Sequence, residues 1–77
     1  MNKQRRKALN ECVEKLDEIA SIIENCADDE QEAFDNLTEG LQATERGEQM
    51  EETASELADI ASEIQDLIDR LNETIDG

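Results

Sequence analysis

The chain has 77 residues, enough for one small domain whose core buries little surface by itself, so association with itself or with partners is expected. Its 22 Asp and Glu residues outnumber 7 Lys and Arg, which gives a formal net charge of −15 and a pI of about 4.1. This charge argues strongly against direct nucleic-acid binding through phosphate contacts, because that mode requires a basic surface. The absence of Trp and Tyr, with a single Phe, excludes an aromatic platform for stacking bases.

The basic N-terminus is the first feature of the chain. Four of the seven cations, Lys3, Arg5, Arg6 and Lys7, precede every acidic residue. No apolar run follows them, so the sequence predicts neither a signal peptide nor a membrane span, and a cytoplasmic location is expected. The cations can compensate acidic residues at the end of an antiparallel neighbour, or contact a nucleic-acid backbone, which the acidic remainder of the chain disfavours.

An amphipathic helix is predicted over about residues 3–36. Apolar residues recur there at spacings of three and four, as they do along a helix packed against another helix. These positions, which we call the first seam, are Leu9, Val13, Leu16, Ala20, Ile23 and Ala27, with Phe34 and Leu37 after an interruption at Glu30. Either one continuous helix or a new helix capped by Asp28 or Asp29 fits this interruption, and continuity is favoured.

A second amphipathic helix is predicted over about residues 45–75. Its apolar positions, the second seam, are Met50, Ala54, Leu57, Ala61, Ile64, Ile68, Leu71 and Ile75. Between the helices, residues 37–44 are predicted to form a turn, since the segment Thr38–Gly47 that joins the two patterns contains two of the three glycines and Thr44 is a suitable N-cap. The predicted fold is therefore all-α, a coiled-coil-like antiparallel two-helix hairpin forming a single domain over residues 1–77.

Further apolar side chains lie beside each seam and exceed what a two-helix contact needs. We expect them to pair two hairpins into a dimeric four-helix bundle, a homo-oligomer. The predicted oligomer interface comprises Ile19, Ile22, Cys26, Ile60 and Leu67. The same flank can instead form a groove for a helix of another protein.

The two cysteines cannot bond to each other within one helix. Cys12 and Cys26 are fourteen residues apart, which corresponds to about 21 Å along a helix. We expect reduced, half-buried thiols, with an intersubunit disulfide after oxidation as the alternative.

Catalytic and metal sites are not predicted. Without His, the chain lacks the ligand set of di-iron bundles and the base of Ser-His or Cys-His catalysis. The run Ala27-Asp28-Asp29-Glu30 does not have the spacing of a calcium-binding loop, and no glycine-rich phosphate loop is present. The sequence therefore predicts no enzymatic activity, no metal and no cofactor.

Acidic residues follow one another along the second helix at spacings of three and four. This places a carboxylate about every 4.5 to 6 Å, comparable to successive phosphates in a DNA strand. The set that we call the acidic strip is Glu48, Glu52, Glu56, Asp59, Glu63 and Asp66. It is either a solvated face that keeps a small bundle dissolved, or a DNA mimic that occupies the basic cleft of a protein partner.

The stretch Glu30-Gln31-Glu32-Ala33-Phe34-Asp35-Asn36-Leu37 and the segment from Thr44 to Glu52 resemble short acidic proteins of bacterial phages and prophages, most of them uncharacterised. The N-terminal Arg5-Arg6-Lys7-Ala8-Leu9 fits the same pattern. This resemblance implies a phage or mobile-element setting, in which such proteins often block host defence nucleases or other DNA-binding proteins.

Two functions from different classes are thus expected. The first is an acidic, DNA-mimicking inhibitor of a host nucleic-acid-binding protein, acting through the acidic strip. The second is a structural or adaptor coiled-coil module that binds a partner helix through the apolar flank. Reversal of the strip's charge distinguishes them, because it abolishes only the first kind of binding.

Overall fold

The computed structural model describes residues 1–77 and consists of helices joined by short connections. Helix α1 spans Lys3–Asp35, the short helix α2 spans Glu39–Gln42, and helix α3 spans Glu45–Asp76. The predicted all-helical class is confirmed. The molecule is a rod with extents of 58 × 15 × 12 Å, because the two long helices pack side by side.

The two long helices run antiparallel. Gln65 Nε2 of α3 donates a hydrogen bond of 3.4 Å to Asp17 Oδ1 of α1, about midway along the rod. Nearer the turn, Glu30 of α1 shares a surface groove with Met50 and Thr53 of α3. Residues that lie later in α1 therefore face residues that lie earlier in α3, as a helical hairpin requires.

The residues buried between the helices recur every seven positions. In α1 they are Ala20 and Ala27, and in α3 they are Gly47, Ala54, Ala61, Ile68 and Ile75. A repeat of seven keeps one stripe of a helix facing its neighbour over many turns, which is why these positions stay covered along the whole rod. The remaining seam positions are half-buried: Leu9, Val13, Leu16, Ile23, Phe34, Leu37, Met50, Leu57, Ile64 and Leu71.

Alanines form the middle of the contact. The register of the Asp17–Gln65 hydrogen bond places Ala20 at about the level of Ala61 and Ala27 at about the level of Ala54. The distance between helix axes depends on the side chains at the contact, so small residues permit a close approach. All four alanines are at most 6% exposed.

Helix α1 continues through the position where a second helix could have begun. Asp28, Asp29 and Glu30 all lie inside one helix that ends at Asp35, so a separate helix capped by either aspartate does not form. Glu30 occupies a seam position and is half-buried. The long methylene stem of a glutamate can cover apolar surface while its carboxylate reaches water.

The segment between the long helices differs from the simple turn predicted over residues 37–44, because it contains α2. Thr38 caps α2, and its Oγ1 accepts a hydrogen bond from the Leu41 backbone N–H. Thr44 caps α3 as the sequence suggests, accepting from the Gly47 N–H at 3.2 Å. Its hydroxyl also donates to the Leu41 carbonyl, and Gln42 Nε2 donates to the Phe34 carbonyl at 3.2 Å.

Gly47 lies where α3 passes closest to the end of α2. A Cβ at this position would stand 2.6 Å from the carbonyl oxygens of both Leu41 and Gln42. These are backbone atoms, which cannot move aside as the end of a flexible side chain would. Gly47 is therefore needed for the close approach of the two segments, and its backbone has no positive φ.

We expect Gly47→Ala to lower the free energy of unfolding by about 1–3 kcal/mol, the usual cost of overpacking. The matched control is Gly40→Ala, since a Cβ at Gly40 meets nothing within 4 Å. The control should leave stability unchanged or raise it by about 0.5–1 kcal/mol, because alanine has the higher helix propensity. Urea unfolding followed by circular dichroism measures both. Equal stability of the two variants would contradict the close approach.

Candidate functional site

The acidic strip lies on the side of α3 that faces away from α1. At about 100° per residue its six carboxylates fall within an arc of about 80°, roughly opposite the second seam. All six residues, from Glu48 to Asp66, are exposed. The strip is about 27 Å long, since it covers eighteen residue steps of helix. The structure therefore keeps the six predicted residues together on one straight, accessible surface.

One further carboxylate, that of Glu51, widens the strip near the turn. Glu48, Glu51 and Glu52 line one open concavity together with Gln42 and Ser55, and no cation is among its lining residues. Glu48 lies three residues before Glu51 and four before Glu52, so like charges are neighbours on the helix surface. Such pairs repel, and the field they create extends outward from the rod.

A second surface carries the predicted oligomer interface. Ile19 is 45% exposed, Ile22 56%, Ile60 37% and Leu67 46%. Cys12, Ile19 and Cys26 recur every seven residues in α1, and Ile60 and Leu67 do so in α3. We call these residues and Ile22 the apolar strip.

The apolar strip lies on one side of the hairpin. In both helices these residues are displaced from the seam in the same rotational sense, and in antiparallel helices this brings them to the same side. The opposite side is polar: Asp17 and Gln65 are hydrogen bonded there, and Glu24, Asp28 and Ser62 line its groove. A third apolar position in each repeat of seven is typical of helices in bundles, whereas a two-helix seam needs only two.

The cysteines are more exposed than expected. Cys12 and Cys26 are both free and exposed, so the prediction of half-buried thiols is wrong for the single chain. The physical reason is their position: each lies beside the seam, where the other helix of the same hairpin does not cover it. A second molecule on the apolar strip would cover them.

The basic N-terminus lies at the open end of the rod. Lys3, Arg5, Arg6 and Lys7 are exposed in the first turns of α1, next to the last turn of α3. Cations at a helix N-terminus oppose the helix dipole, which favours negative charge there. Asn2 partly offsets this effect as N-cap, since its Oδ1 accepts from the Arg5 N–H at 2.8 Å.

An apolar cluster at the turn was not predicted from the sequence. Leu37, Leu41 and Met50 line a small depression together with Arg46, and Leu41 is 52% exposed. Leu41 falls in the segment expected to be a turn, where helical periodicity gives no signal. Its position three residues after the N-cap Thr38 is the feature that could have indicated the short helix.

No three of the chain's Asp, Glu and Cys side chains come together as ligands for a metal ion. No helix combines the length and apolarity that crossing a lipid bilayer would require. No protein-family model matches the sequence, and no curated protein or solved structure matches it significantly.

The charge of the rod predicts an unusual response to salt. Raising sodium chloride from about 0.01 M to about 0.15 M shortens the Debye length from about 30 Å to about 8 Å and screens the repulsion among carboxylates. We expect the melting temperature to rise, by roughly 4–8 °C for each kcal/mol of repulsion relieved. Scanning calorimetry across this range measures it. A melting temperature that falls with salt would show that attractive ion pairs dominate the fold.

Proposed function

We propose that this protein is a non-catalytic, acidic interaction protein that presents the acidic strip of α3 to a basic surface of a protein partner. By occupying that surface it would compete with nucleic acid and act as a DNA mimic. The observation that supports the proposal most directly is the exposure of all six strip residues along one straight helix face.

The spacing of the charges suits such competition. Successive carboxylates are separated by about 4.5–6 Å along the helix, and DNA presents a phosphate every 3.4 Å of axial rise per strand, roughly. A basic cleft that accommodates a row of phosphates can therefore accommodate a row of carboxylates on a rigid helix. Unlike DNA, the helix offers no phosphodiester bond to cleave.

The size of the charge imbalance also supports this role. A net charge of magnitude about 2–8 is enough to keep a small domain in solution, and this chain carries −15. The excess charge destabilises the compact state by self-repulsion. The same charge contributes to function if its negative field attracts a basic partner and accelerates the encounter of the two proteins. The resemblance described above adds a setting to the proposal, in which the partner is a nucleic-acid-binding or defence protein of a phage's bacterial host.

The test is capture from bacterial lysate at low salt, followed by mass spectrometry, with the immobilised protein and two charge variants. Changing Glu52, Glu56, Asp59 and Glu63 to Lys in the acidic strip should abolish capture of basic nucleic-acid-binding proteins, since the attraction becomes repulsion. Capture by the unchanged chain should decline steeply as salt is raised.

The matched control reverses four carboxylates on the outward face of α1, namely Glu11, Glu14, Glu18 and Glu32, all of them exposed. Both variants change the net charge equally, so only the strip distinguishes them. The control should retain most of the capture. Equal loss in both variants would show that net charge alone attracts the partner, and no basic protein in any capture would remove the proposal.

The exposed apolar strip favours a second candidate function, that of an adaptor binding a partner helix. Four large aliphatic side chains that are 37–56% exposed on one side of the rod form a surface on which an amphipathic helix can pack. Under this alternative, reversing the charges of the acidic strip leaves partner binding largely intact. Substitution within the apolar strip would abolish it.

We further propose that two copies of the hairpin associate through the apolar strip into a four-helix bundle. One rod face measures 58 by 15 Å, which is large enough to hold the ~800 Å² per partner that a standard protein interface buries. The apolar strip is also the side with fewest carboxylates, so most of each acidic strip would remain outside. Glu56 and Glu63, four residues before and three after Ile60, would lie at the edge of the contact. Covering the strip would extend the small core of a chain in which seven residues are buried.

We expect Ile19→Glu to convert the dimer to a monomer, because it introduces an unpaired charge at the centre of the apolar strip. Leu41→Glu is the control: Leu41 is similarly exposed, at 52% against 45% for Ile19, but lies at the turn. Light scattering coupled to size exclusion gives the mass independently of the elongated shape. A wild-type chain that is monomeric at all concentrations tested would contradict the association.

A further inference from the structure

The two cysteines of helix α1 lie at equal distances from the middle of the helix, beside the seam that packs against α3. The helix runs from Lys3 to Asp35, so Ile19 is its central residue. Cys12 and Cys26 lie seven residues before and after Ile19, and all three occupy the same side of the helix. If a second α1 packed antiparallel to the first with the two Ile19 residues at the same level, Cys12 of each chain would therefore lie opposite Cys26 of the other.

The charges of α1 also favour antiparallel pairing of two α1 helices. The four N-terminal cations occupy its first turns, and five acids occupy its last turns: Asp28, Asp29, Glu30, Glu32 and Asp35. Antiparallel pairing of two α1 helices places the basic end of one beside the acidic end of the other. Parallel pairing would place like charges together, which is costly across an interface.

The apolar residues of α3 are also arranged about the level of Ile19. The Asp17–Gln65 hydrogen bond fixes the register of the hairpin and places Ile19 at about the level of Glu63. Ile60 and Leu67 lie on either side of that level at nearly equal separations. A two-fold axis through Ile19 thus also brings Ile60 of one copy opposite Leu67 of the other.

We propose that the second copy lies on the apolar strip with its rod antiparallel to the first, related by a two-fold axis that passes Ile19 perpendicular to α1. Cys12 of each copy then faces Cys26 of the other at two equivalent places. This arrangement rests on the self-association proposed above and adds its symmetry. It also makes the interface a site for reversible intersubunit disulfides, since both thiols are exposed in the single chain.

The chemistry of the site is a two-electron oxidation. For each disulfide, the S–H bond of one thiol in each copy breaks and one S–S bond forms between the two sulfurs, while the two protons and two electrons released pass to an oxidant. The diazene reagent diamide serves as the probe: its N=N bond becomes a hydrazine as each disulfide forms. Packed helices lie about 8–10 Å apart, so side chains at facing positions can approach within the range that a disulfide needs.

The experiment uses the full chain and its variants Cys12→Ser and Cys26→Ser, treated with diamide and, in parallel, with a short bismaleimide that tolerates a longer sulfur separation. Wild type should give a covalent dimer. Each single variant should give only background, since like cysteines would be about 21 Å apart in this arrangement. An equilibrated mixture of the two variants should again give a covalent dimer, joined once through Cys26 of one and Cys12 of the other.

The background from random collisions is measured with a variant in which both cysteines are replaced by Ser and Ser62 by Cys. Ser62 is exposed on the opposite, polar side of the rod, away from the proposed interface. Light scattering under reducing conditions gives the oligomeric state without any covalent link. A monomer there would overturn the self-association itself. A reduced dimer whose wild-type cysteines do not cross-link above the Ser62→Cys background, or whose single variants cross-link as well as wild type, would overturn only the antiparallel symmetry.

Discussion

The contact between α1 and α3 is the interaction on which every other feature depends. It is made of residues repeating every seven positions, with alanines at the centre and larger aliphatic side chains toward the open end. Because this stripe is narrow, it fixes which side of each helix faces water. The acidic strip is accessible, and the apolar strip uncovered, for the same reason: both lie outside the arc that the partner helix covers.

The turn contributes by setting the register of that contact. Thr38 and Thr44 satisfy backbone donors at the starts of α2 and α3, and Gln42 binds the last turn of α1 through the Phe34 carbonyl. Because Gly47 has no side chain, the backbone at the start of α3 can pack directly against the end of α2. A fixed register matters for function, because it determines which residues of the two helices share a level on each face of the rod.

Much of this architecture could be predicted from the sequence, since the spacing of apolar residues is a direct consequence of helix geometry. Each predicted seam position is buried or half-buried, and Thr44 is an N-cap as expected. Periodicity gave no sign of helix α2, because four residues are too few to show it and Gly40 disfavours a helix; the N-cap Thr38 was the one local signal. The exposure of Cys12 and Cys26 was misjudged because a position beside the seam is covered only when a further helix is present. The importance of Gly47 could have been inferred, as it stands seven residues before Ala54 on the buried series.

The slenderness of the rod has a consequence for the ions around it. Fifteen net negative charges spread over 58 Å amount to about one per 4 Å of length, close to the one per 3.4 Å of a single nucleic-acid strand. A line of charge this dense gathers a sheath of small cations, as a polyelectrolyte does. Any basic molecule that docks along it sets those cations free, and the entropy of their dispersal then contributes to binding.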